Sequence, residues 1–198
     1  MIIVDVETSG INPAKNSILS IGAIEFERPS NQFYGECRAR EGAEIEASAL
    51  AINGFTREEA LSDKKKSVEE LLLGFRVWLQ TTGDRTIAGH NVSFDVSFLE
   101  FSSKLYRINL GLGHRNVDTH ALTYASYMKR GMKPPAKSSK SDINSDAVLA
   151  YCGLPAEPKP HNGLVGAKME AEALSRLILG KRLFQEYSGF GVPEYLLF

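Results

Sequence analysis

The feature that most constrains this chain is a pair of acids set into an apolar run at its start, Ile2-Ile3-Val4-Asp5-Val6-Glu7-Thr8-Ser9-Gly10. The β-branched residues around them read as a buried strand. Side chains alternate along a strand, so Asp5 and Glu7 share one face. Two like charges inside a fold repel, and each gives up its hydration at a cost of several kcal/mol unless something compensates. A divalent cation with oxygen ligands, Mg²⁺ or Mn²⁺, is the simplest compensation. A strand end where both acids meet water is the alternative. Thr8-Ser9-Gly10 then ends the strand and places a hydroxyl and backbone N–H groups beside the acids.

The rest of the chain supplies a frame for that strand. Residues 18–26 and 32–39 read as a second and third strand joined by short connections, an antiparallel meander. Thr56-Arg57-Glu58-Glu59 and Ser67-Val68-Glu69-Glu70 are capping boxes that open two helices. The second helix carries Val68, Leu71, Leu72, Phe75, Trp78 and Leu79 at helical spacing, a core stripe. A short strand ending at Gly89 leads through His90-Asn91 into a helix with Asp95 in its first turn, where the helix dipole favours an acid. Phe94 and Phe98 on that helix read as core. Val117-Asp118-Thr119 starts another helix with Asp118 as its N-cap. Residues 146–152 form a short helix, and Ala167, Ala171, Leu174 and Ile178 mark the apolar face of the last one.

Between residues 129 and 140 the chain carries Lys129, Arg130, Lys133, Lys137 and Lys140 and no acid. Pro134-Pro135 and Ser138-Ser139 make it an irregular loop, either plainly solvated or a phosphate-contacting flap. A local patch matters because the net charge of the 198 residues is −1. No field over the whole protein gathers a polyanion. The length suits one domain over 1–198, with 183–198 as a C-terminal tail without an assigned role. Cys37 and Cys152 form neither a CxxC pair nor a disulfide framework. No apolar run reaches membrane-span length and no signal peptide precedes the first strand, so a cytoplasmic setting, bacterial cytosol before nucleus, is the expectation.

Two stretches carry a resemblance. Asp5-x-Glu7-Thr8-Ser9-Gly10 resembles the first motif of the DEDDh-type 3′→5′ exonucleases, the superfamily of polymerase proofreading subunits. Gly89-His90-Asn91-x-x-Phe94-Asp95-x-x-Phe98-Leu99 resembles its second. The resemblance implies an α/β, ribonuclease H-like fold: a mixed five-stranded sheet with three antiparallel strands, flanked by helices. It implies two divalent cations, Mg²⁺ or Mn²⁺, held by carboxylates that include Asp5, Glu7 and Asp95. His161 becomes the general base, expected on a loop at the pocket mouth and largely exposed. Thr8, Ser9, Gly10, His90 and Asn91 would line the 3′ end of a single-stranded DNA or RNA, with Lys133 and Lys137 on its phosphates. A polymerase or repair protein is the partner class the family suggests.

The chain departs from the family five residues after His161, where the last Asp of the motif should stand and Gly166 is found. Glu170 is the expected replacement, one helical turn on and only ~40° around the axis, with one methylene more of reach. Without such a ligand the alternative is a catalytically inactive nucleic-acid-binding module of the same fold.

Overall fold

The computed structural model describes residues 1–197; Phe198, the end of the expected tail, lies outside them. Its frame is a five-stranded sheet. The strands are β1 (Ile2–Thr8), β2 (Ile18–Glu25), β3 (Gln32–Glu36), β4 (Ile87–Gly89) and β5 (Asn116–Asp118), in the order β3-β2-β1-β4-β5. β1, β2 and β3 pair antiparallel, while β4 and β5 add on parallel to β1. This is the mixed, ribonuclease H-like sheet that the early meander and the later alternation of helix and strand imply. The acids therefore stand on its central strand.

Each face of the sheet is covered by helices that its alternating side chains select. Ile2, Val4 and Val6 point into a core with α3 (Val68–Leu79) and α4 (Ser93–Leu105), through Leu72, Phe75 and Phe98. Ile3, Ile24 and Ala88 point the other way, onto Ala167, Ala171 and Leu174 of α7 (Gly163–Leu179). By the same alternation Asp5 and Glu7 face the start of α7.

That helix start sits unusually close. A Cβ on Gly22 of β2 would overlap the Gly163 carbonyl group, and one on Gly163 would stand 2.8 Å from the Asp5 carbonyl oxygen. Glycine at both positions lets α7 rest directly on the sheet backbone, which puts position 166 over Asp5. Asn162 caps the helix by accepting from the Leu164 and Val165 N–H groups at 3.1 and 3.3 Å.

Elsewhere the sequence expectations shift in detail. Both capping boxes form, at Thr56 for the four-residue α2 (Arg57–Ala60) and at Ser67 for α3. The third strand stops at Glu36, short of 39. Helix α1 (Ala47–Asn53) was not anticipated, because its N-cap Glu46 makes no side-chain cap. Asp118 caps α5 (Thr119–Lys129) as expected, its side chain accepting from the His120 N–H. The expected irregular basic loop instead contains a two-residue hairpin, β6 (Ala136–Lys137) and β7 (Lys140–Ser141), turned by Ser138 and Ser139 at φ 49° and 61°. Helix α6 (Ser145–Tyr151) precedes the final loop and α7.

Residues 183–197 pack back on α6 and α7 and are held by a buried ion pair. Arg176 Nε donates to Glu172 Oε1 at 2.7 Å, and neither side chain is exposed. The rest of the guanidinium binds the Cys152, Phe190 and Gly191 carbonyls. Glu172 Oε2 accepts from the Leu183 and Phe184 N–H groups at 2.8 and 2.9 Å. No helix of the described residues is long and apolar enough to cross a membrane.

Candidate active site

The acids meet where β4 runs out. β4 pairs with β1 only at Ile2 and Ile3, leaving the Val6 N–H without a strand partner. Asp95, from the first turn of α4, fills that gap: its Oδ1 accepts the Val6 N–H at 2.9 Å. Glu170 reaches the same gap from α7 on the other face of the sheet, its Oε2 3.0 Å from where a Cβ on Gly89 would stand. Asp5 fills the space left by Gly166, since a Cβ there would overlap Asp5 Oδ2. The loop before α7 adds Glu157, whose Oε1 lies 3.3 Å from that same Cβ position.

These five carboxylates, Asp5, Glu7, Asp95, Glu157 and Glu170, disturb one another. Burial raises the Asp5 carboxyl well above its usual range, and the charges of Asp95, Glu7 and Glu157 add to this. Burial and then Glu157 push Glu7 up to about 7. Asp95 is pushed up to about 8, mainly by burial, although the Val6 N–H holds it down. Burial, Asp5 and Asp95 raise Glu170 well above normal, with the His90 N–H pulling the other way. Burial also raises Glu157, against the opposing charge of His161.

Such a set cannot be fully ionised without positive charge among it. Two enclosed oxygens, Glu157 Oε1 and Glu170 Oε2, have no hydrogen-bond partner. Among the described residues no three His, Cys, Asp or Glu side chains are already drawn together as a metal-ligand group. The donors are hard oxygens with free lone pairs, so their chemistry fits Mg²⁺ or Mn²⁺.

The other expected site residues fall in different places. His161 is not largely exposed: its side chain is 31% exposed, with Nδ1 3.6 Å from Glu157 Oε2. Its backbone N–H is bound to the Ile52 carbonyl at 3.0 Å, which anchors the loop to α1. Glu7 and His161 share the wall of a cavity of about 200 Å³, and a second of about 210 Å³ lies on the far side of Glu7 against Thr8, Gly10 and Phe94. Phe94 packs against the sheet core, with Phe98 within it. Thr8 Oγ1 donates to the Gly10 carbonyl, and Ser9 is fully buried with Oγ between the Glu44 carbonyl and the Ser17 N–H. Ser9 therefore shapes the turn and presents no free hydroxyl.

Asn91 is exposed at φ 50°, and His90 is partly buried with Nδ1 3.4 Å from Thr119 Oγ1. The basic hairpin reaches this edge: Ser141 Oγ is 2.8 Å from His120 Nε2, and the His120 ring is 6.3 Å from that of His90. Lys133 and Lys137 are exposed on the hairpin segment. Arg130 turns toward the C-terminal segment, with its guanidinium 3.8 Å over the Tyr195 ring and one N–H donated to the Tyr151 hydroxyl. Glu157 is the residue the sequence reading missed. Its signal was modest: it is the only acid between Asp146 and Glu170, four residues before His161.

A family model described as an exonuclease, RNase_T, matches residues 2–174. The chain belongs to this exonuclease family. Within it the chain is similar to the PolC-type DNA polymerase III of Thermotoga maritima, 27% identical over 179 residues that make up 89% of this chain and 12% of that protein. The chain thus spans only a small part of that relative's length. Solved structures share the fold. E. coli exonuclease I in complex with a dT13 oligonucleotide superposes with TM-score 0.67 at 17% identity, over 88% of this chain and 40% of that one. The nuclease domain of 3′hExo, a DEDDh family member bound to rAMP, gives 0.68 at 15% identity, over 98% and 95%. The mixed sheet flanked by helices matches the fold of these exonucleases, and members of the DEDDh group typically use divalent metals.

Proposed function

We propose that the chain is a metal-dependent 3′→5′ exonuclease that removes terminal nucleotides from single-stranded DNA or RNA. The observation that carries this reading is the convergence of buried carboxylates around Asp5 on β1, two of them with an unpartnered oxygen. Asp5, Glu7, Asp95 and Glu170 would hold the cations. When bound, divalent cations there would neutralise charge on the phosphate and lower the pKa of the attacking water.

The chain's own groups divide the remaining work. His161 is the base. Glu157 on its Nδ1 side favours a proton on that nitrogen, leaving Nε2 to take the proton of the attacking water. Thr8 and Gly10 at one end of Glu7, and His90 and Asn91 at the end of β4, border the space for the terminal nucleotide. Lys133 and Lys137 would contact phosphates further along the strand, at the edge marked by His120. The similarity to a PolC-type polymerase makes a polymerase or repair protein the partner class to test.

A 5′-labelled single strand incubated with protein and Mn²⁺ decides the matter. A ladder shortening from the 3′ end is expected. Strands retarded but intact would return the catalytically inactive binding module. His161→Ala should lower turnover by a factor on the order of 10² or more, as for loss of a general base, while strand affinity changes little. Equal losses in both would make His161 a substrate contact.

A further inference from the structure

We infer that Glu157, from the loop before α7, supplies the carboxylate that position 166 lacks and joins Asp5 and Glu7 as a cation ligand beside His161. This rests on the metal-dependent reading above and assigns a ligand that the sequence motifs do not contain.

The placement is specific. The Glu157 side chain is 8% exposed, yet its Oε1 has no hydrogen-bond partner. That oxygen points into the space over Gly166, at 3.3 Å from the Cβ a side chain there would have. Asp5 Oδ2 borders the same space. The other Glu157 oxygen, Oε2, faces His161 Nδ1 at 3.6 Å, so one carboxylate lies between the base and the acids of β1. Its charge bears on both Asp5 and Glu7.

The loop is suited to hold it. Pro155, Pro158 and Pro160 flank Glu157 and restrict the backbone. The His161 N–H is fixed to Ile52, and the Glu157 N–H lies 3.4 Å from Asp146 Oδ1 at the start of α6. Glu170 occupies the opposite side, toward Asp95 and the end of β4. The two glutamates are thus not interchangeable: Glu157 serves the Glu7 and His161 side, Glu170 the Asp95 side. The geometry also explains why glycine stands at 166. A side chain there would fill the space into which Glu157 Oε1 and Asp5 Oδ2 project, so a helix acid and the loop acid exclude one another.

The test is Mn²⁺ binding to the full chain without nucleic acid, by titration calorimetry and by the loss of free-Mn²⁺ paramagnetic resonance signal. Wild type, Glu157→Gln, Glu157→Ala, the double variant Glu157→Ala with Gly166→Asp (which clears the space the Glu157 side chain fills), and the exposed-acid control Asp63→Asn are compared, with melting curves alongside. We expect Glu157→Gln and Glu157→Ala to bind Mn²⁺ at least about tenfold more weakly, the control to bind like wild type, and the double variant to regain most of the loss. Wild-type affinity in Glu157→Gln would overturn the assignment and leave the metal-dependent reading standing. No recovery in the double variant would overturn the claim that the two carboxylates fill one place. Absence of Mn²⁺ binding by wild type would overturn both.

Discussion

Two glutamates two residues apart on α7 show how position decides the meaning of a charge. Glu170 joins the acids at the end of β4, whereas Glu172 is sealed inside the fold with Arg176. Helical spacing in the sequence shows that Glu172 faces away from the acids, but not that it is buried. An i, i+4 Glu–Arg pair looks the same on a solvated face as in a core. What decides it is the chain from 183 to 197 folding over the pair, a long-range event with no local signature. Arg176→Met should therefore destabilise the protein by about 3–5 kcal/mol, since it leaves Glu172 buried without its counter-charge. In a domain of this size each kcal/mol is worth about 2–4 °C, so a calorimetric scan should show a drop on the order of ten degrees. A change of a degree or two would mean that the Leu183 and Phe184 N–H groups alone satisfy Glu172.

At the scale of elements, what the sequence made legible was whatever local chemistry encodes. Ser67 with Glu70 and Thr56 with Glu59 open helices by closing their own hydrogen bonds, so both starts could be read directly. Helix α1 has no such cap, and Glu157 sits in a proline-rich loop whose course depends on contacts with α1 and α6. The basic segment lies between these cases: its charge was evident, its hairpin was not, and Arg130 is diverted to Tyr195. Of the exposed lysines, Lys133 and Lys137 are the pair proposed to contact phosphates. If both contact phosphates, log affinity for a single strand should fall with log salt, and neutralising the two should reduce that slope by about 1.4, from ~0.7 per charge. An unchanged slope would return the hairpin to plain solvated structure.

For the molecule as a whole, the acid cluster sets how stability depends on pH. Glu7 at about 7 and Asp95 at about 8 hold protons more tightly folded than unfolded. The folded state thus binds the excess protons between about pH 4 and 8, and stability must fall as pH rises through that window. Glu25 and Glu36 are lowered instead, Glu25 by Asn31, the Gly83 N–H and Arg28 and Glu36 chiefly by Lys65, and their contribution is lost in stronger acid. Melting temperature without divalent ions should peak in mild acid and decline toward pH 8, where Mn²⁺ should restore it. A profile flat from pH 5 to 8, or no response to Mn²⁺, would mean that the carboxylates do not act together. The same crowding of acids on β1 and α7 carries a consequence for the order of events on the protein. A site with up to five negative charges turns away a phosphodiester, so under the proposed metal-dependent function cation and strand would not bind independently. Whatever factor the cation adds to the affinity for a strand, the strand must add to the affinity for the cation. An exonuclease built this way would grip its ions most firmly while a 3′ end is in place and loosen them when the strand leaves.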